Sequence, residues 1–192
     1  RFLHDARGDL DAAEAAYRRA LELDPDHADA LLDRARLRFY LRRDLEGAEA
    51  DYERAVAVRP EDPDALVALA TFAEQGRHDL ERAEALYERA LSLDGQRAET
   101  LEAWSRFLHH ERRDAARARA AYEAALERSP ERADLWSWYA VFLQTLGQDA
   151  AAAELAFERA LALDPDHAFA RSNYGLMLWS VLGELDRAEA QL

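Results

Sequence analysis

Asp9, Asp44, Asp79, Asp114 and Asp149 stand 35 residues apart, and each opens a segment of one type without a single insertion between copies. The segments read DLDAAEAAYRRALEL, DLEGAEADYERAVAV, DLERAEALYERALSL, DAARARAAYEAALER and DAAAAELAFERALAL. A fixed period of this length restricts the chain to stacked copies of one supersecondary unit, because a unit so short cannot bury its apolar face alone. The same period explains why LDPDHA occurs at residues 23–28 and again at 163–168, which is four periods later.

Within a unit the phases are those of a helix. Ala13, Ala48, Ala83, Ala118, Ala153 and Ala188 share one phase. Tyr17, Tyr52, Tyr87, Tyr122 and Phe157 share a second, and Ala20, Ala55, Ala90, Ala125 and Ala160 a third. With Leu or Val one residue further on, these fall at i, i+4, i+7 and i+8, one face of an α-helix. The aspartates are N-cap candidates, since a carboxylate accepts the free N–H groups of the first turn. Pro25, Pro60, Pro130 and Pro165 follow the last apolar residue, where proline cannot continue the helix, and Gly95 takes that place in the third unit. A second helix follows, with Asp62 as cap and Pro63 in its first position. Its apolar phases are Leu31, Leu66, Leu101 and Trp136, then Leu69, Trp104, Tyr139 and Tyr174, then Ala35, Ala70, Ser105, Ala140 and Gly175. Units in phase near 9–43, 44–78, 79–113, 114–148 and 149–183 therefore form one array over residues 1–192, with partial units at both ends.

Composition narrows the function classes. The 192 residues are 49% hydrophobic and 33% charged with 7 Gly and 5 Pro, enough to bury a substantial core. Without cysteine there is no disulfide framework, thiolate nucleophile or zinc–thiolate site. Every basic residue is arginine, and the net charge is −14 with arginine interleaved among the acids. No basic stripe is set apart for phosphates, so the expectation is no direct nucleic acid and no membrane partner. The N-terminus has no apolar secretory core, which favours an intracellular, cytoplasmic protein. It also lacks an initiator methionine, which points to part of a longer chain or larger complex.

Catalytic and metal chemistry find no support in the motifs. No His pair has i, i+4 spacing, and His4, His27, His78, His109, His110 and His167 read as solvated or terminal. The serines lack a G–x–S–x–G context and no glycine-rich phosphate loop occurs. No catalytic residue, cofactor site or metal site is expected, and the protein is read as a non-enzyme.

The order large–x–x–large–small on one helix, then A–x–x–x–Y–x–x–A–L on the next and a closing proline, resembles the tetratricopeptide repeat. It is nearly complete in Leu66, Leu69, Ala70, Ala83, Tyr87, Ala90 and Leu91, with Gly95 standing for the proline. The resemblance implies an all-α fold, a right-handed α-solenoid of antiparallel helix pairs. The unit has one residue more than the usual 34 of the family, most simply placed in the turn inside the pair. HAT repeats, the half-a-TPR units of RNA-processing assemblies, are the close rival through LWSWYAVF at residues 135–142. The pentatricopeptide repeat has the right length but suits an RNA reader.

The resemblance also implies that the helices after the prolines, the first helices of each pair, line a concave groove that takes a protein, peptide or helix. The groove face carries Asp29, Asp64, Glu99 and Asp134, then Glu102 beside Leu32, Val67 and Ser137, then Arg36 and Arg106 beside Thr71 and Val141. Arg34 stands at a phase that is apolar in the other units, with Arg38 one turn on, a place to look for recognition of an acidic peptide. At the C-terminal end Phe169, Ser172, Leu176 and Trp179 step by three, four and three, and offer an apolar anchor for a partner. The alternative to a groove binder is a structural subunit packed permanently in a larger assembly.

Overall fold

Fourteen-residue helices alternate with helices of nine to thirteen residues through most of the chain in the computed structural model. It describes residues 2–191, and side chains from residue 10 onward except at 182. In chain order the helices are α1 (Phe2–Leu23), α2 (Ala28–Arg36), α3 (Leu45–Val58), α4 (Pro63–Phe72), α5 (Leu80–Leu93) and α6 (Ala98–Phe107). They continue as α7 (Ala115–Arg128), α8 (Ala133–Thr145), α9 (Ala150–Leu163), α10 (Ala168–Met177) and α11 (Leu185–Glu189). Among the described residues there is no strand.

Capping side chains fix the starts. Asp44, Asp79, Asp114 and Asp149 each accept the amide three residues on, at 2.9–3.0 Å, and Asp62 accepts that of Asp64 at 2.9 Å. The repeated hexapeptide has a specific role at the other start. His27 and His167 are N-caps of α2 and α10, with Nδ1 accepting the amides of Ala30 and Ala170 at 3.3 and 3.2 Å. Two histidines read from the sequence as solvated thus help to start helices.

At Asp9 the expected helix start is absent, and α1 runs unbroken from Phe2 to Leu23. Continuing one helix through Gly8 and Asp9 keeps the backbone bonds of this stretch satisfied within the helix. The side chains of Asp9 and His4, and Arg1 altogether, lie outside the described residues.

The thirty-fifth residue has a definite place. Four first helices close in a π-helical turn, at Leu37–Arg42, Ala73–Arg77, Leu108–Arg112 and Leu178–Leu182. A left-handed residue then reverses the chain: Arg43, His78, Arg113 and Gln148 at φ 51–60°, and Gly183 at 71°. The next amide reaches six residues back, as from Asp44 to the Arg38 carbonyl at 3.0 Å, where a Schellman ending reaches five. The extra residue therefore widens the last helical turn instead of lengthening the connection.

The chain groups into two compact units, residues 1–95 and 96–192. In the first, α2 packs on α3 and α4 on α5, and α3 meets α4 between the pairs. Its core holds Leu31, Leu32, Ala35, Phe39, Tyr52, Leu69 and Phe72, with Phe39 edge-on to Phe72 at 5.2 Å. In the second, α6 packs on α7 and α8 on α9, while α10 lies against both α8 and α9 and α11 against α10. Tyr122, Phe142, Phe157 and Met177 are fully buried there. The alanines of the shared phases, from Ala48 to Ala160, have no exposed surface, which lets neighbouring helices approach closely. Each unit is thus a stack of antiparallel helix pairs, the all-α repeat architecture that the period predicts.

Candidate functional site

Side chains that the core does not consume are the material for a site, and the first helices carry most of them. The acidic series at the starts of these helices meets arginine from within the fold. Asp29 receives a bidentate pair from Arg59 at 2.8 Å on both oxygens, and that hydrogen bonding holds its carboxyl below the ordinary aspartate range. Arg132 reaches Asp134 at 2.5 Å and Glu102 at 2.8 Å. Burial alone raises the Asp134 carboxyl, but Arg132 outweighs it and lowers the net value. Glu99 lies 3.5 Å from Arg97. Asp64 is exposed in the first turn of α4. The series is therefore largely neutralised, and its members are spread over both units.

Arg34 and Arg38 come together through one carboxylate. Asp51 is buried on α3 and takes a bidentate pair from Arg34 at 2.7 and 2.6 Å, and a third bond from Arg38 at 2.9 Å. Arg38 also faces Glu14 at 3.5 Å. Arg36 pairs with Asp33 in its own helix at 2.9 Å. Two neighbours assigned from the sequence to the groove face, Leu32 and Ser137, are instead buried. Leu32 joins the first-unit core, and the Ser137 hydroxyl donates to the Ala133 carbonyl at 2.8 Å.

A row of three side chains crosses α6, α8 and α10 in the second unit. The Arg106 guanidinium lies over the Trp138 ring, 4.6 Å from its centroid, and Trp138 packs against Phe169 with ring centroids 4.5 Å apart. His110 meets the edge of Trp138 at 5.9 Å. Sequence reasoning picked Arg106 and Phe169 but missed Trp138, the residue that joins them. A signal was present, since Trp138 stands at the phase of Asp33, Ala68, Ala103 and Asn173 and is the large apolar residue in that series.

Phe169 is consequently turned away from the other three members of its expected face. Ser172, Leu176 and Trp179 line a separate, mainly apolar groove with Gly175, Leu185 and Ala188, between α10 and α11. Leu176 and Trp179 are 51% and 59% exposed. At the phase of Trp179 two units earlier stands His109, which is 3% exposed. Its Nε2 lies 2.9 Å from the Thr145 hydroxyl, and its ring meets Phe142 edge-on at 5.4 Å, so α8 covers there what is open at Trp179. Burial, then His110 and Arg113, push the His109 imidazole down to about 4. This corrects its reading as a solvated histidine.

Among the described residues no group of three or more His, Asp or Glu is arranged to hold a metal ion, and no helix is long and apolar enough to cross a membrane. A family model described as tetratricopeptide repeat matches residues 3–50, 32–98, 109–168 and 147–192. No curated protein matches the sequence. Solved structures do match in fold. TTC0263, a thermophilic TPR protein in Thermus thermophilus, superposes with a TM-score of 0.74 at 21% identity, covering 92% of this chain and 94% of that one. YrrB, described as a TPR protein with an unusual peptide-binding site, gives 0.62 at 23% identity, with 88% and 84% covered. Yeast Tom70 gives 0.76 at 20% identity over 93% of this chain and 37% of its own.

Proposed function

This chain belongs to the tetratricopeptide repeat family, and from that premise we propose that it is a non-enzymatic protein-interaction module whose first helices bind a peptide or helix of a partner protein. The observation that carries the reading is the row Arg106, Trp138 and Phe169, which links three consecutive first helices with side chains that the cores of the pairs do not need. Large aromatic and arginine side chains of this kind supply most of the energy at protein interfaces. The peptide-binding site named for YrrB, a structure of the same fold, agrees with this use of the architecture.

A second reading, a structural subunit held permanently in a larger assembly, is favoured by the open groove at Leu176 and Trp179. The corresponding surface around His109 is covered by α8 of the following pair, so this groove has the chemistry to receive a helix, of a following pair or of a partner. Affinity capture from the native cell with quantitative mass spectrometry separates the two. Under the first reading, Trp138→Ala removes the captured partner and Trp179→Ala does not. Under the second, Trp179→Ala weakens capture by at least about 2 kcal/mol, the usual hot-spot threshold, with Tm nearly unchanged. Retention of the same partners by both variants overturns both readings.

A further inference from the structure

Arg106 differs from the arginines around it in how its charge is met. Arg132 has Glu102 and Asp134, Arg34 and Arg38 have Asp51, and Arg187 has Glu154 at 2.6 Å. Arg106 has the Trp138 ring, and no carboxylate among the described residues pairs with it. Its Nε is buried without an acceptor. The nearest acid along its own helix, Glu102 one turn back, is taken by Arg132. In a chain of net charge −14 a half-buried arginine without an acidic partner is not a by-product of composition.

A guanidinium held over an indole face by cation–π attraction keeps its planar fork of N–H donors, and that fork matches a carboxylate with two parallel bonds. Phe169, on the far helix, packs against Trp138 and extends the apolar surface directly from the cation.

We infer that this row recognises an acidic side chain followed closely by an aromatic or large aliphatic one in a partner peptide, with the carboxylate on Arg106 and the apolar side chain on Trp138 and Phe169. The inference rests on the peptide-binding reading above and gives it a chemical class. The overall negative charge does not oppose it, since exposed charges beyond about 8 Å are screened at physiological ionic strength. Positively charged peptides gain little from the acids of the first helices, because Asp29, Glu102 and Asp134 already hold arginine.

The test is a positional-scanning array of short C-terminally amidated peptides probed with the full chain, so that no terminal carboxylate can take part. Enrichment of aspartate or glutamate one to three positions before phenylalanine, tryptophan or leucine is expected. Synthetic peptides of that pattern, labelled with fluorescein and titrated by anisotropy, lose about tenfold or more in affinity with Arg106→Gln. Arg106→Lys restores the charge without the planar fork and recovers only part. Changing the peptide's acid to its amide costs the wild type the same factor, and costs Arg106→Gln nothing further. Enrichment of basic peptides, or equal binding by wild type and Arg106→Gln, overturns the inference while peptide binding itself stands. An array with no binding for peptides of any composition overturns the peptide-binding reading as well.

Discussion

Arg34, Arg38 and Asp51 occupy three positions at which the next unit has Leu69, Ala73 and Leu86. A charged cluster has thus replaced an apolar one in register. The exchange is tolerable because it is complete: Asp51 is buried but accepts three hydrogen bonds, and the Arg34 side chain is 17% exposed. Removing one member breaks that balance. Asp51→Leu leaves Arg34 desolvated without a counter-charge, and the expected loss is about 3 kcal/mol, at the low end for broken buried pairs. Arg34→Leu with Asp51→Leu recreates the leucines of the next unit and should return to within about 1 kcal/mol of wild type, with Arg38 still facing Glu14. Urea unfolding midpoints decide it. A double variant as unstable as the single one would show that the charged cluster is irreplaceable at this site.

Among the helical elements, the π-helical turn after α6 carries the clearest pH dependence. His109 is neutral where α8 covers it, with an imidazole pushed down to about 4 against about 6.5 in the unfolded chain. As pH falls through 6.5 the unfolded state takes up a proton that the folded state refuses. Stability is therefore full above pH 6.5 and declines by about 3 kcal/mol as pH drops to 4. His109→Gln, which places at 109 the residue found at Gln144, should flatten most of that slope; His110, also lowered by burial, keeps a remainder. The carboxylates held low by arginine, Asp29 and Asp134 among them, lose their contribution mainly below this window. Chemical denaturation at a series of pH values between 4 and 7.5 tests this, and an unchanged slope in the variant would place the acid sensitivity elsewhere. The π-helical turn that holds His109 shows how this element is built: the left-handed Arg113 closes it, and Asp114 starts the next helix at once.

Over the molecule as a whole, charge is distributed so that arginine is spent internally. Arg59, Arg82 and Arg132 each bind two acids of the fold, and Arg187 binds three. With a net charge of −14, single- and double-stranded nucleic acids are expected to bind more weakly than about 10⁻⁴ M at physiological salt. Filter binding or anisotropy with labelled RNA measures this directly. Micromolar affinity would promote the reading in which the repeats serve an RNA-processing assembly.

Much of this architecture was legible in one dimension because it rests on short-range rules. The phases of Ala48, Tyr52 and Ala55 recur at helical spacing, and an α-helix turns such a spacing into a single face whatever surrounds it. The caps at Asp44, Asp62, Asp79, Asp114 and Asp149 act within three residues, and the sequence alone placed them. The candidate site was legible only in part. Arg106 and Phe169 stand out by phase, but Trp138 acquires its role only when α8 sits between α6 and α10. Likewise nothing local tells Arg59 to reach Asp29, thirty residues earlier, or decides that His109 is covered while Trp179 is open. Those outcomes depend on the distance between neighbouring helices and on which of several acids a long side chain can reach, and packing alone sets both.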